Sequence, residues 1–293
     1  MTKMRAAVLK TSSGNLEIID GIDIPPLTAY QVLVKISHTG VCRSQLMEID
    51  GLRGPDPWLP HMLGHEAVGE VEAIGSNVKK LSVGDRVIAT WIRADGGECN
   101  GCKYDYNGLT INAGSVTTFS NYSVISENRL VKINSSIPSH LAVTLGCAVP
   151  TGAGIVFNQL RDVSKKTLAI FGLGGIGLSA LLAAKTKDFS KIIVVDIDDE
   201  KLELARQIGV HLSINPTHKD PVKKIRNITS GGVDFSIDAS GICSVIEKAF
   251  VATTPKTGIT YFASHPPAGE FLKIDPHDLI RGRQIFGSWG GGI

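Results

Sequence analysis

Cysteine is scarce in this chain, with only five among 293 residues. A small and odd number of cysteines excludes the disulfide-stapled class of secreted domain and favours reduced thiols in the cytoplasm. Residues 1–13 lack the apolar stretch of a signal peptide, and we expect none. No apolar run approaches the ~20 residues that cross a bilayer, so a membrane is not expected as a partner.

An excess of charge of one sign is also lacking, because 30 Lys and Arg residues nearly balance 28 Asp and Glu residues. The sequence has no basic tract and no stripe of basic and aromatic residues, which argues against nucleic acid as a partner. Internal repeats and low-complexity segments are missing as well. The hydrophobic fraction of 43% is typical of a folded globular protein, and the length allows two domains with separate cores.

Residues 1–150 contain short apolar runs that are separated by Gly, Pro and Asn. The runs fall at residues 6–9, 32–36, 68–74 and 84–89. No long amphipathic helix interrupts them. This pattern predicts a β-barrel-like domain.

Residues 151–293 alternate between strand and helix patterns. The predicted strands are 167–171, 191–195, 233–237, 258–263 and 284–288, and the predicted helices include 176–187 and 200–208. Strands that alternate with helices indicate a doubly wound parallel sheet, so the fold class predicted for this half is α/β.

A glycine fingerprint joins the first of these strands to the first helix. The pattern GxGxxG after an apolar strand permits a tight turn and a close approach of the backbone to a pyrophosphate at the helix N-terminus. The alternative is a purely structural turn. The residues concerned are Gly172, Gly174, Gly175 and Gly177.

Asp196 ends the next predicted strand, at about the ~20-residue distance where dinucleotide sites place an acid. Its carboxylate can accept hydrogen bonds from both ribose hydroxyls of NAD and would repel the extra phosphate of NADP. Lys201 would add a second ribose contact. The alternative for Asp196 is a helix cap.

Three residues of the types that zinc prefers precede the glycine fingerprint, namely Cys42, His65 and Cys147. Taken singly, each cysteine suits a buried small hydrophobe and His65 suits a turn. Their separations along the chain are long, so position alone cannot bring them together.

Several motifs together resemble the zinc-containing alcohol dehydrogenases of the medium-chain dehydrogenase/reductase superfamily. The resemblance implies a GroES-like catalytic domain at 1–150, a Rossmann NAD-binding domain at 151–293, and an active site in the cleft between them. The motifs are Gly40-Val41-Cys42-Arg43-Ser44, Gly64-His65-Glu66-Ala67-Val68-Gly69, Gly84-Asp85-Arg86-Val87, Leu145-Gly146-Cys147 and the glycine fingerprint.

The resemblance also implies a role for individual residues. Cys42, His65 and Cys147 match the ligands of one catalytic zinc, and Glu66 would support them from outside the ligand set. Ser44 matches the hydroxyl that receives the substrate proton. Further matches are Arg43 for the cofactor pyrophosphate and Trp91 for the substrate pocket.

Four departures from the family pattern stand out. Gln45 replaces an acid that usually supports the zinc site, and Met47 replaces a histidine that passes the proton to solvent in some members. The lobe that often holds a structural zinc keeps only two of four cysteines, so we expect no second zinc there; its four positions are Cys99, Cys102, Asp105 and Ala113. The sequence stops at Ile293, and we expect the C-terminal segment that returns to the catalytic domain to be missing.

The function predicted from these features is NAD-dependent, zinc-dependent interconversion of an alcohol with an aldehyde or ketone, by a homodimer or homotetramer. Zinc would lower the pKa of the substrate hydroxyl, Ser44 would accept its proton, and a hydride would pass to the nicotinamide. Two alternatives stay open at this point. One is a zinc-free quinone or enone reductase on the same fold, and the other is an inactive, truncated cofactor-binding relic.

Overall fold

Strands make up most of the first of two units in the computed structural model, which describes residues 3–134 and 136–293. This unit ends at Cys147, and the second begins at Ala148. The strands of the first unit are β1 (Lys3–Leu9), β2 (Leu16–Asp23), β3 (Gln31–Thr39), β4 (His61–Met62), β5 (Glu66–Ile74), β6 (Arg86–Thr90), β7 (Lys103–Tyr106), β8 (Leu109–Asn112), β9 (Tyr122–Ser126) and β10 (Leu130–Lys132). Its α-helices are α1 (Arg43–Ile49) and α2 (Ser139–Ala142), with 3₁₀ turns at Glu127–Arg129 and Val143–Gly146.

The strands of the first unit form a closed barrel and a second sheet. The barrel has the order β1-β2-β7-β8-β4, and the five-stranded sheet has the order β10-β6-β5-β3-β9. In β1 the apolar side chains of Met4, Ala6 and Val8 alternate with more exposed ones and enter the barrel core, as the two-residue period of a strand requires. The β-barrel-like domain predicted from the sequence is therefore confirmed.

The second unit is built on a parallel sheet with helices between its strands. The strands are β11 (Thr167–Phe171), β12 (Lys191–Val195), β13 (Leu212–Ile214), β14 (Phe235–Asp238), β15 (Ile259–Phe262) and β16 (Gln284–Gly287). The helices are α3 (Ala148–Gly154), α4 (Gly175–Lys185), α5 (Asp199–Ile208), α6 (Pro221–Ile228), α7 (Cys243–Val251) and α8 (Pro276–Ile280), with a π-helical turn at Ile155–Gln159.

The order of this sheet is β13-β12-β11-β14-β15-β16, and every neighbouring pair is parallel. Alternate residues of one strand enter different cores. Leu168 and Ile170 of β11 pack into one hydrophobic cluster, whereas Ala169 and Phe171 pack into the other. A strand that is buried on both faces is typical of a doubly wound sheet, so that prediction is confirmed. The sequence patterns did not identify β13, α3, α6, α7 or α8.

Within the described residues, no single helix is both long and apolar enough to span a membrane. The short helices over Ser139–Gly146 and Ala148–Gln159 meet that test only as a bent pair, by length and composition alone.

Candidate metal centre and nucleotide turn

Three separate segments of the first unit bring two thiols and one imidazole together. Cys42 is the residue directly before α1, His65 lies between β4 and β5, and Cys147 follows the 3₁₀ turn Val143–Gly146. The possible ligand atoms of these residues all lie within 4.8 Å of one another. The His65 Nε2 atom is 3.2 Å from the Cys147 Sγ atom. The trio that only the family resemblance could join in the sequence is therefore assembled in space.

The spacing of these donor atoms suits zinc. Bonds of about 2.0 Å to nitrogen and 2.3 Å to sulfur place the donors of a tetrahedral ion roughly 3.5–4 Å apart. Two thiols and one imidazole are ligands that zinc prefers, and three protein ligands leave one position for a substrate oxygen. Within the part of the chain that the structure describes, no other group of three or more His, Cys, Asp or Glu residues is arranged in this way.

A glycine directly before His65 and another directly before Cys147 make this assembly possible. Gly64 has φ of +91°, and a Cβ atom there would lie 2.4 Å from the Thr118 Oγ1 atom. A residue with a side chain therefore does not fit at position 64, directly before His65. A Cβ atom at Gly146 would lie 2.7 Å from the Cβ atom of Glu66. Cys147 can thus approach His65 only because its preceding residue has no side chain.

Hydrogen bonds shift the pKa values of the two thiols in opposite directions. The Cys147 thiol donates to the Cys42 sulfur, which holds the pKa of Cys42 well below its usual range. The same bond, together with burial, raises the pKa of Cys147. A hydrogen bond from Trp91 acts on Cys147 in the opposite direction. Zinc binds cysteine as thiolate, so metal binding would release the proton that the two sulfurs share.

Gln45 lies beneath the trio, on the first turn of α1, and is almost fully buried. Its Oε1 atom accepts the backbone N–H of Cys42 at 2.9 Å. Its Nε2 atom contacts the His65 Nδ1 atom and donates to the Ser44 Oγ atom at 3.2 Å. In the sequence, Gln45 was identified only as a departure from the family pattern, with no role predicted for it. The available signal was its position three residues after Cys42, where a capping box places Glu or Gln.

Glu66 is buried beside the trio but is not one of the grouped donors. Burial raises the pKa of its carboxyl to about 7, against the attraction of His65. The carboxyl packs on the backbone of Gly40, where a Cβ atom would come within 2.5 Å of it. Glu66 therefore lies next to the ligand group without belonging to it. Its support of the zinc ligands stays a prediction.

Three further predicted site residues of the first unit lie close to Cys42 or Cys147: Ser44 for the substrate proton, Trp91 for the substrate pocket and Arg43 for the cofactor. Ser44 forms side-chain and backbone hydrogen bonds that lower the pKa of Cys42. Trp91 follows β6 and contacts Cys147, and it does not line the cavity described next. Arg43 is exposed as the first residue of α1.

A cavity of about 550 Å³ opens beside His65 within the first unit. Its charged residues are paired with each other: His61 contacts Asp56 at 2.7 Å, and Arg53 forms an ion pair with Glu48. Much of the rest of the lining is apolar, including Pro55, Pro57, Trp58, Met62, Leu63 and Val116. No motif in the sequence predicted this cavity. The signal that the sequence offers is the proline-rich run at residues 54–60, which is typical of an irregular segment.

Three of the four positions compared with a structural zinc site lie in the barrel. Cys102 and Ala113 are buried in the barrel core. Asp105 lies in the hairpin of β7 and β8, where its carboxylate accepts the N–H of Gly108 at 3.3 Å. Cys99 is half-buried, and its N–H is bonded to the Ser126 hydroxyl at 2.9 Å. Among the described residues, Cys99, Cys102 and Asp105 do not form a group of possible metal ligands.

In the second unit, the glycine fingerprint forms the turn between β11 and α4. Gly172 has φ of +88°, a region that glycine enters without steric cost. A Cβ atom at Gly177 would lie only 1.8 Å from the carbonyl oxygen of Gly172, so helix and turn are in direct contact. Gly174 precedes α4 and faces open space, with no atom within 4 Å of a Cβ position. Gly175, the first residue of α4, packs against Ala148. The N-terminus of α4 therefore presents bare N–H groups, which suit a phosphate.

Asp196 follows β12 and is tied to this turn. Its Oδ2 atom accepts the N–H of Leu173 at 2.5 Å, and its Oδ1 atom accepts the N–H of Asp198 at 2.9 Å. The helix-cap alternative for Asp196 is wrong, because Asp198 caps α5. Lys201 pairs with Asp198 at 3.4 Å. Each carboxylate oxygen of Asp196 retains an acceptor position for a hydroxyl.

Family models match both units. Residues 28–135 match the alcohol dehydrogenase GroES-like domain, and residues 175–293 match a zinc-binding dehydrogenase domain.

Several relatives are similar to this chain over nearly its whole length. Alcohol dehydrogenase-like 1 of Arabidopsis thaliana is 33% identical over 99% of this chain and 82% of its own length. An S-(hydroxymethyl)glutathione dehydrogenase of Synechocystis is 33% identical over 99% of this chain and 86% of its own. Among solved structures, benzyl alcohol dehydrogenase from Acinetobacter calcoaceticus has a TM-score of 0.87 at 33% identity, covering 99% of this chain and 85% of that one.

Proposed function

The chain belongs to the zinc-binding alcohol dehydrogenase family, and we propose that it catalyses the reversible oxidation of an alcohol to an aldehyde or ketone with NAD as hydride acceptor. It is an oxidoreductase that acts on small molecules. The observation that carries the proposal is the convergence of Cys42, His65 and Cys147 within 4.8 Å in a chain that also carries a nucleotide turn.

Cys42, His65 and Cys147 would hold the zinc ion. Two thiolates neutralise its double positive charge, so a substrate alkoxide is not held so tightly that hydride loss is suppressed. The chemistry that zinc supplies at such a site is Lewis-acid polarisation of the substrate oxygen. A zinc-free reductase on this fold has no use for the assembled trio and is not favoured.

Ser44 is the residue we propose to accept the substrate proton. Its hydroxyl lies on the first turn of α1, two residues after Cys42, and is held by the side chain of Gln45 at 3.2 Å. A hydroxyl can accept one proton while it passes on another. Met47 is buried and cannot carry a proton, so the proton must leave Ser44 by water or another group.

The glycine turn and Asp196 would hold the nucleotide, with Lys201 and Arg43 as further contacts. The bare N–H groups at the start of α4 suit the pyrophosphate, and the free acceptor positions of Asp196 suit ribose hydroxyls. Assembly as a homodimer or homotetramer, and a cytoplasmic location, are further predictions.

The cavity beside His65 favours an alcohol with an apolar or aromatic group. Its charges are internally paired, and Pro55, Pro57 and Trp58 present apolar surface to it. Benzyl alcohol, which a relative is named for, therefore heads the panel of test substrates, with a small aliphatic alcohol and S-(hydroxymethyl)glutathione as comparisons.

The test is turnover of this panel followed by NADH absorbance, with zinc measured on the same sample. We expect turnover of at least one alcohol and about one zinc per chain, because one trio is assembled and the other cysteine lobe is not. Turnover by protein without zinc would contradict the mechanism. A ratio near two zinc ions per chain that falls to one in a Cys99→Ser variant would contradict the single site.

A preference for NAD over NADP is expected from Asp196. Its negative charge would oppose a 2′-phosphate, and charges a few ångströms apart near a protein surface interact by several kcal/mol. Asp196→Asn keeps the shape and one acceptor for the turn but removes the charge. We therefore expect the ratio of NADP to NAD affinity to rise about tenfold or more in this variant.

Asp220→Asn is the matched control for this measurement, since Asp220 caps α6 in the same unit and its carboxylate accepts the N–H groups of Val222 and Lys223. Binding of both nucleotides by calorimetry gives the ratios. Tighter binding of NADP than of NAD by the unmodified protein would contradict the assignment of Asp196.

A further inference from the structure

Gln45 has one acceptor atom, and the hydrogen bonds around it fix where that atom points. The backbone N–H of Cys42 is a donor, so the side-chain atom 2.9 Å away must be the amide oxygen. The NH₂ group of the same amide then faces the Nδ1 atom of His65 and the hydroxyl of Ser44. The orientation of the amide thus follows from its backbone partner.

This orientation determines the tautomer of His65. An amide N–H that points at Nδ1 requires that Nδ1 carry no proton. A neutral imidazole then has its proton on Nε2, the atom that lies 3.2 Å from the Cys147 sulfur and faces the trio. Both ring nitrogens of His65 have a partner in this state, because Nε2–H donates to the Cys147 sulfur and Nδ1 accepts from Gln45.

Zinc needs the opposite tautomer. A metal at Nε2 uses the lone pair of that nitrogen, so the proton of the neutral ring must lie on Nδ1. Nδ1–H would then face the NH₂ group of Gln45, and two donors cannot form a hydrogen bond with each other. Rotating the amide would satisfy Nδ1–H but would turn the NH₂ group toward the N–H of Cys42. With two donors at opposite ends and one acceptor oxygen, one donor is left without a partner in a buried place.

We propose that Gln45 is a positioning residue that holds His65 in its metal-free tautomer and so weakens zinc binding, and that a carboxylate at this position would strengthen it. This inference rests on the proposed zinc site. A carboxylate has two acceptor oxygens, one for the N–H of Cys42 and one for Nδ1–H of His65, so it satisfies both donors when the metal is bound.

The test compares zinc affinity in the unmodified protein, Gln45→Glu and Leu46→Glu, by competition with a chromogenic chelator. Partners of a ligating histidine typically change metal affinity 10- to 100-fold, so we expect Gln45→Glu to bind zinc about tenfold tighter or more. Leu46 is the next residue on α1 and is 52% exposed. Leu46→Glu adds the same charge where water and salt screen it, and we expect its affinity to stay within about twofold of the unmodified protein.

Equal zinc affinity of Gln45→Glu and the unmodified protein would overturn the proposed role of Gln45 but not the zinc site. An equal gain in both glutamate variants would also overturn it, because charge without contact would then be sufficient. Failure of both the unmodified protein and Gln45→Glu to bind zinc would overturn the metal site itself, and with it this inference.

A second measurement needs no substitution at position 45. In protein labelled with ¹⁵N-histidine, with the His65 signals assigned by comparison with His65→Gln, the two ring nitrogens report the tautomer directly. We expect the proton on Nε2 in metal-free protein and on Nδ1 after zinc is added. A proton already on Nδ1 without metal would contradict the proposal even if Gln45→Glu did not fold.

Discussion

Alanine at Cys147 is expected to lower turnover by about 10³-fold or more and to reduce bound zinc to a trace. The variant leaves two ligands where a catalytic zinc needs three. Lewis-acid stabilisation by the metal is worth several kcal/mol, and each 1.36 kcal/mol is a factor of ten in rate. The glycine turn lies in the other unit, so affinity for NAD should remain close to that of the unmodified protein.

Cys243→Ala provides the matched control for this experiment. Cys243 is buried to a similar degree, at 9% exposure against 7% for Cys147, and it begins α7 in the second unit. The same substitution there removes a buried thiol without touching the trio. Turnover, zinc content and NAD affinity are measured on both variants. Equal loss of activity in both, or full activity of Cys147→Ala without zinc, would contradict the assignment.

The strand patterns predicted the fold because apolar residues alternate in strands with one buried face and run continuously in strands buried on both faces. β12 was predicted at its observed bounds, Lys191–Val195, since four consecutive apolar residues that are buried on both faces leave little ambiguity. The short helices α6 and α8 were missed. Each begins with an Asp cap followed by Pro, a start signal that the analysis of apolar runs did not use.

The metal centre could not be derived from the sequence by physical reasoning alone. His65 and Cys147 are 82 residues apart, and only the assembled barrel and the turn before Cys147 bring them into contact. The family resemblance supplied the grouping in advance, but it carried no information about Gln45 beyond a mismatch. The consequence of that mismatch depends on which end of one amide faces Cys42, a fact of three-dimensional hydrogen bonding.

The glycine turn has two proposed roles, close packing of α4 against the turn and binding of the cofactor pyrophosphate. We expect substitutions at Gly177 and Gly174 to distinguish these two roles. Gly177→Ala would place a Cβ atom 1.8 Å from the carbonyl oxygen of Gly172. Neither partner is a flexible side chain, so α4 and the turn must move apart. Overpacking of this kind costs about 3 kcal/mol, which corresponds to roughly 10 °C in the melting temperature of a unit of this size.

Gly174→Ala changes the same number of atoms without a clash, because no atom lies within 4 Å of its Cβ position and its φ of −69° suits any residue. The added methyl group would instead occupy the open space before α4, where the backbone N–H groups would meet the pyrophosphate. We therefore expect Gly174→Ala to melt at the temperature of the unmodified protein and to bind NAD at least about tenfold more weakly, through loss of phosphate hydrogen bonds worth ~1.5–3 kcal/mol each. Gly177→Ala should lose both stability and affinity. Circular dichroism melts and calorimetric titration with NAD measure the two properties separately. A lowered melting temperature in Gly174→Ala together with unchanged NAD affinity would show that this turn is structural and does not hold a nucleotide.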